Sequence, residues 1–282
     1  MPGYRKIQLP PSSRIAFQGE LGAFSQQAAE RIFGSGIEPV PCQAFEDVFR
    51  KLSRGAVVAA VIPIENSLAG SIHQNFDLLA RHAVEAVGET LVRIEHHLIA
   101  RPGVRLADIR QIYSHPVALA QCQQFLRSLR SAEKVSFYDT AGSVKHIRDS
   151  KIASAAAVAS AAAARMYGMR ILRRNIEDHR ENFTRFLALA RRGRFPQGGT
   201  KTSLVFTLRN EPGALFKALS VFALRDINLT KIESRPIQGK PWEYLFYLDL
   251  QSDVRSDRCA NALRHLQEMT AYFKLLGSYP TY

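Results

Sequence analysis

The chain is poor in the residues that most often mark a metal or disulfide site. Only three cysteines, Cys42, Cys122 and Cys259, occur in 282 residues, far apart and without a Cys-x-x-Cys pair. That spacing argues against a structural zinc site, and an odd, sparse count fits a reducing compartment. His96 and His97 are adjacent, and neighbours on a strand point to opposite faces, which disfavours a shared metal. No apolar run reaches the roughly 18 residues of a membrane-spanning helix; the nearest, Ile152 to Ala164, is mostly alanine. The N-terminal MPGYRKIQLPPSSR has no hydrophobic signal core and is too short and serine-poor for an organelle transit peptide, so the expected location is the cytoplasm and no membrane partner is expected. A Gly-x-Gly-x-x-Gly fingerprint is missing too, since GELGAF does not match it, and this excludes a dinucleotide cofactor of that type.

What the chain does have is positive charge, a formal net of +13. The basic residues are scattered, with Arg191, Arg192 and Arg194 the only tight cluster, and no nucleic-acid-binding motif accompanies them. The expectation is a solvated basic surface that also attracts a dianionic substrate, with no nucleic-acid partner. A hydrophobic share of 46% against 22% charged predicts an ordinary packed core.

Residues 14 to 190 alternate strand-like and helix-like segments, which predicts an α/β domain. Predicted strands include 14–18, 37–42, 56–64, a long extended stretch over 85–100, 111–114, 135–138, 170–176 and 184–190. Predicted helices run from the GELGAF corner to Ile32, over 45–54 and 73–81, from Pro116 to Leu129, from Ser143, and through the alanine-rich 155–167 after a short strand. The Gly-Gly- and Pro-containing segment 191–200 reads as a linker. Beyond it, residues 201–282 follow the order βαββαβ, the ferredoxin-like plan.

Four corners at strand ends are polar or glycine-rich: Gly19 to Ser25, Pro63 to Ser71, Ser114-His115-Pro116, and Asp139 to Ser143. Ligands of open α/β sheets sit at such ends, and free N–H groups at helix starts suit anions. Each corner also has a plain reading. Ser, Thr and Asp before a helix usually cap it, Glu65 fits a surface carboxylate, His115 a satisfied structural histidine, and Thr184 a common strand residue. Gln121, seven residues after Ser114, falls on a similar helix face.

Taken together, GELGAFS, PIENSLAGSIHQNFDLL, SHPVALAQC, DTAGSVKHI and NFTRF strongly resemble the prephenate dehydratase family, including the plant-type arogenate dehydratases. They occur in the family's order across almost all of residues 14 to 190, and KTSLVF through PWEYLFYLDL resembles the ACT domain that follows, with GALFKAL and KIESRP as its characteristic segments. The resemblance implies a two-lobed catalytic domain like type II periplasmic-binding proteins, with substrate between the lobes, and a sensor that binds phenylalanine. It points to Thr184 for dehydration, to Asn66, Ser114 and Gln121 beside it, and in the sensor to Gly213, Ala214, Leu215, Asn228, Leu229, Glu233, Ser234 and Arg235. Gly22, Ala23, Phe24, Ser67, Gly70, Thr140, Ala141, Gly142, Ser143, Arg185 and Phe186 are the further candidates for holding substrate. Val117 departs from the family, which often has Gln after Ser-His-Pro.

The implied reaction is decarboxylating dehydration of prephenate to phenylpyruvate in phenylalanine biosynthesis, a carbon–oxygen lyase reaction. Aromatisation drives it, and the slow event is departure of hydroxide, so it calls for a donor aimed at that oxygen and a site aligning the carboxylates, with no redox cofactor and no metal. Thr184 is expected to donate to the leaving hydroxyl or relay a proton from Glu65 or His115, and Arg185 to pair with a carboxylate. Paired ACT domains imply a homodimer or homotetramer. Without a transit-like segment prephenate is the expected substrate, with arogenate the alternative. A solute-binding protein would share the two lobes but need an export signal, and an amino-acid-responsive regulator would need a DNA-reading element.

Overall fold

The computed structural model describes residues 6–195 and 197–281. The chain begins with β1 (Arg14–Gln18), α1 (Phe24–Phe33), β2 (Glu38–Cys42), α2 (Phe45–Ser53), β3 (Ala59–Asn66), the short β4 (Gly70–Ser71), α3 (His73–Arg81) and β5 (Val84–Arg93). It continues with β6 (His97–Ala100), β7 (Gln111–Ser114), α4 (Pro116–Ala120), α5 (Gln123–Ser128), β8 (Glu133–Ser136), α6 (Thr140–Asp149), β9 (Ala155–Ala159), α7 (Ala161–Met166) and β10 (Arg170–Arg173). Then come β11 (Phe183–Arg191), β12 (Lys201–Thr207), α8 (Ala214–Ala223), β13 (Leu229–Pro236), β14 (Tyr244–Leu250), α9 (Asp257–Met269) and β15 (Tyr272–Tyr279).

These elements build three sheets. The first has the order β2-β1-β3-β11-β5, with β4 paired to β3; the second is β10-β6-β9-β7-β8; the third is β13-β14-β12-β15. The strand β3 is an apolar run buried on both faces, as an interior strand must be. Helix α2 buries Val48, Phe49 and Leu52 on one stripe, the spacing of an amphipathic helix. The first two sheets are the two lobes. The chain leaves the first lobe between β5 and β6 and returns to it between β10 and β11.

The expected single extended stretch over 85–100 is therefore two strands in different sheets. At the break, the backbone N–H of His96 donates to the Glu177 carboxylate at 2.9 Å, replacing a ladder partner and turning the chain into the second lobe. The expected helix from Pro116 to Leu129 is also interrupted. Asp178 arrives from the return crossing and accepts from the N–H groups of Gln123 and Gln124 at 2.9 and 3.0 Å. That distant carboxylate caps a new helix start, so α4 ends and Gln121 sits at the break.

The third sheet has the ferredoxin-like strand order and sits directly on the first lobe. Leu204, Phe206, Leu248 and Leu250 face α8 and α9. The alternate residues Val205 and Tyr247, with Leu276 and Tyr279, join the core built by Phe49, Leu52 and Leu79. Alternation along each strand thus gives the sheet two buried faces.

Candidate active site

Strand pairing sets one wall of the cleft between the lobes. In the antiparallel β3–β11 pair, Thr184 lies opposite Asn66 and Arg185 opposite Glu65. Successive strand residues face opposite sides, so Thr184, Phe186 and Asn66 line a cavity of about 350 Å³ while Arg185 and Glu65 do not. The second lobe supplies His115, Gln121, Asp139 and Thr140 to the same cavity, and the crossing supplies His96.

A row of amides runs through its centre. Asn66 Nδ2 donates to Thr184 Oγ1 at 3.0 Å and to Asn182 Oδ1 at 2.7 Å. Gln121 Nε2 donates to Asn66 Oδ1 at 3.2 Å, and Asn182 Nδ2 donates to Gln121 Oε1 at 2.9 Å. Because Thr184 Oγ1 accepts from Asn66, its own proton is left for a group in the cleft. His96 Nε2 is 3.1 Å from Gln121 Oε1. That oxygen can only accept, which puts the ring proton on Nε2 and leaves Nδ1 buried and unpartnered. Burial holds the His96 pKa down at about 4, so the ring is neutral at ordinary pH. Its edge meets Phe24 at 5.7 Å between centroids. His115 caps α4 by accepting the Val117 N–H on Nδ1, and burial lowers its pKa as well.

Two helix starts face the cavity differently. No side chain caps α1, and Phe24 and Ser25 in its first turn line the cavity, leaving first-turn N–H groups for an anion. The start of α6 is capped by Asp139, whose Oδ2 accepts from Gly142 N at 2.8 Å and Glu20 N at 3.1 Å. Burial pushes the Asp139 carboxyl above its ordinary pKa, against the lowering effect of those N–H groups. Among the lining side chains Asp139 is the one acid, and none is a lysine or arginine. Among the described residues the basic excess of the chain therefore lies outside the cavity lining.

Several candidates are placed elsewhere. Glu65 accepts from Lys231 Nζ at 3.0 Å, on the side of the third sheet, so it has no route to relay a proton into the cleft. Arg185 pairs with Asp249 of the third sheet at 2.5 Å and with Glu89 at 3.3 Å, and is not free to hold a substrate carboxylate. Ser114 is fully buried, its Oγ donating to Val158 O inside the second lobe. Ser67 bonds the backbone of Glu181 and Phe183. Gly70, Ala23, Ala141, Gly142 and Ser143 shape the cavity only through the backbone or through packing behind its lining. Gly22 is needed for contact between elements, because a Cβ there would sit 2.6 Å from Ala163 Cα. Val117, half-exposed, gives the cleft an apolar group.

Sequence reasoning missed the roles of His96 and Asn182, and placed Ser25 only within the Gly19 to Ser25 corner. Asn182 opens the NFTRF segment and is wholly buried at the centre of the amide row, but nothing in its sequence neighbourhood separates it from an ordinary strand-entry residue. His96 was legible only as one of an adjacent pair. Its partner His97 accepts the Asn175 N–H at 3.0 Å, away from the cavity.

In the third sheet, Gly213 caps α8, with Ala214 and Leu215 following, while Asn228 immediately precedes β13 and Leu229 begins it. Thr207 pairs with Leu245 at one end of the sheet and Leu229 with Leu250 at the other, about 17 Å apart at strand rise. Glu233 accepts from Ser71 at 2.5 Å, and Arg235 pairs with Asp77 at 3.1 Å. Both are engaged with the first lobe, and Ser234 between them is exposed, so these three do not gather with Gly213 around a common hollow.

Fold and site together define a two-lobed α/β enzyme with a cleft between its lobes and an appended ferredoxin-like domain. The family model described as prephenate dehydratase matches residues 15–194, and the ACT domain model matches residues 202–264. The chain is 47% identical over 280 residues to arogenate dehydratase/prephenate dehydratase 2, chloroplastic, of Arabidopsis thaliana, covering 95% of this chain and 72% of that one. It superposes on the prephenate dehydratase of Arthrobacter aurescens in complex with L-Phe with a TM-score of 0.87, at 32% identity and over 95% and 90% of the two chains. The structure of GqqA, described as a novel type of quorum quenching acylase, gives a TM-score of 0.85 at 37% identity over 95% and 98%. The chain belongs to the prephenate dehydratase family, with a C-terminal ACT domain. No helix among the described residues is long and apolar enough to cross a membrane.

Proposed function

We propose that the chain removes carbon dioxide and water from prephenate to give phenylpyruvate, or from arogenate to give phenylalanine, in the cleft between its lobes. The observation that carries this reading is the Asn66–Thr184 hydrogen bond within the amide row, in which Thr184 Oγ1 accepts and so keeps its own proton to donate. Thr184 donates to the departing hydroxyl oxygen and stabilises the charge that grows there. Asn66, Asn182 and Gln121 hold it in place, and neutral His96 fixes Gln121. As the ring carboxylate leaves as carbon dioxide, its bonding pair enters the ring and expels the hydroxyl, which takes up a proton and departs as water. Phe24, Ile94 and Phe186 form an apolar wall against which the ring packs.

The Thr184→Ala variant tests this. Turnover should fall more than tenfold, within the roughly 10²–10⁴ range of acid–base contributions, with secondary structure retained by circular dichroism. Near-normal turnover removes Thr184 from the mechanism.

Phenylalanine is the proposed effector, by analogy with the L-Phe complex of the Arthrobacter aurescens relative. Gly213 to Leu215 and Asn228 to Leu229 lie at opposite ends of one ACT sheet, so a ligand touched by both sets needs two chains, and this supports a homodimer or homotetramer paired through the ACT domains. A cytoplasmic location is proposed from the three free, buried cysteines; the Arabidopsis relative is chloroplastic by name.

A further inference from the structure

The cleft carries one unpaired charge, and its sign is unexpected for a site that takes a dianion. No lysine or arginine lines the cavity, and the acid that does is Asp139. The neighbouring Glu20 is already matched, because Lys145 Nζ donates to one of its oxygens and Tyr138 Oη to the other, both at 2.9 Å. Asp139 has no cationic partner among the described residues. Its Oδ2 takes the N–H groups of Gly142 and Glu20, and the Thr140 N–H also interacts with the carboxylate, so Oδ1 is the less occupied of its two oxygens. Gly19 packs against Oδ1, and a Cβ there would stand 3.0 Å from that oxygen.

Prephenate and arogenate differ at one position of the side chain, a ketone in the first and an ammonium in the second. Both carry two carboxylates, so an uncompensated carboxylate in the cleft opposes every charged group of prephenate. In arogenate it meets one group of opposite sign. We infer that Asp139 is the specificity-determining residue of the cleft, its Oδ1 receiving the side-chain ammonium of arogenate and disfavouring prephenate. The inference rests on the dehydratase reading and narrows it to the amino substrate. Burial disfavours the charged form of the carboxyl, and a bound ammonium offsets that cost by pairing with it. A plain helix-capping role explains Oδ2, and the φ of +112° explains Gly19, but capping does not account for the place of the carboxylate in the cavity lining.

The test is kcat/KM for both substrates with the full-length wild type, Asp139→Asn and Asp139→Ser. Both variants keep an oxygen to cap α6 and lose the charge. The wild type should prefer arogenate. Each variant should lose about 10- to 100-fold in kcat/KM for arogenate, the range of one hydrogen bond to a charged group, and hold or gain on prephenate. The ratio between substrates is the readout, because a structural defect lowers both together. Equal loss on the two substrates, no loss on either, or a wild type that uses prephenate but not arogenate overturns the inference and leaves the dehydratase intact. A wild type inactive on both overturns the dehydratase reading and the inference with it.

Discussion

His96 shows how a single buried side chain ties stability to pH. Its pKa is about 4 in the fold, held down by burial, against about 6.5 in an unfolded chain. Between those values the unfolded state binds more protons than the native state, so stability rises with pH across the window. The full contribution is present above pH 6.5 and is lost as pH falls toward 4, about 3 kcal/mol in all. A His96→Gln variant keeps a donor toward Gln121 and removes the titration. Its urea midpoint should therefore vary less between pH 4 and 6.5 than that of the wild type; identical slopes would mean that His96 titrates normally in the fold. The same neutrality explains why the ring serves as a fixed donor to Gln121 and not as a proton source in the cleft.

At the scale of elements, the β3–β11 pair sorts the Thr-Arg-Phe motif into two roles. Thr184 and Phe186 reach the cleft, and Arg185 reaches the ACT sheet through Asp249. A second contact between elements depends on the absence of a side chain. Gly277 of β15 presses its backbone against β5, so a Cβ would fall 2.1 Å from Ala86 O. Gly277→Ala should lower the stability of the chain by about 1–3 kcal/mol through overpacking. Gly36→Ala, where a Cβ meets nothing within 4 Å, serves as the control. Equal urea midpoints for the two variants would show that the β15–β5 approach is not tight in solution.

Across the whole molecule, the catalytic lobe and the ACT domain share a core through Val205, Tyr247, Leu276 and Tyr279. Ion pairs Arg185–Asp249, Lys231–Glu65 and Arg235–Asp77 border that core. A rearrangement of the ACT sheet therefore meets β11 one residue from Thr184, which is the contact an effector would need in order to bias the cleft. The edge strand β13 pairs with β14 on one side, has no partner on its outer side among the described residues and exposes Ile232, a surface suited to pairing with another chain. Light scattering should give a mass of at least two 31.5 kDa chains, with phenylalanine shifting the distribution or tightening it. A monomer under both conditions would exclude effector binding between paired ACT domains.

The alternation of strands and helices, the βαββαβ order and the helix span 73–81 were legible in the sequence, because apolar periodicity and local capping decide them. The motifs also marked Thr184, Asn66, Gln121 and His115 as candidates, and these do line one cavity. Only the tertiary structure decided which polar residues face it. Glu65 and Arg185 belong to the same motifs as Asn66 and Thr184, yet the period of two in a strand sends them to the opposite side, toward charges from the ACT sheet. Asn182, His96 and the carboxylate of Asp139 acquire their meaning from partners more than fifty residues away or from the lobe opposite. Local sequence determines the path of the backbone; long-range packing determines what each side chain meets.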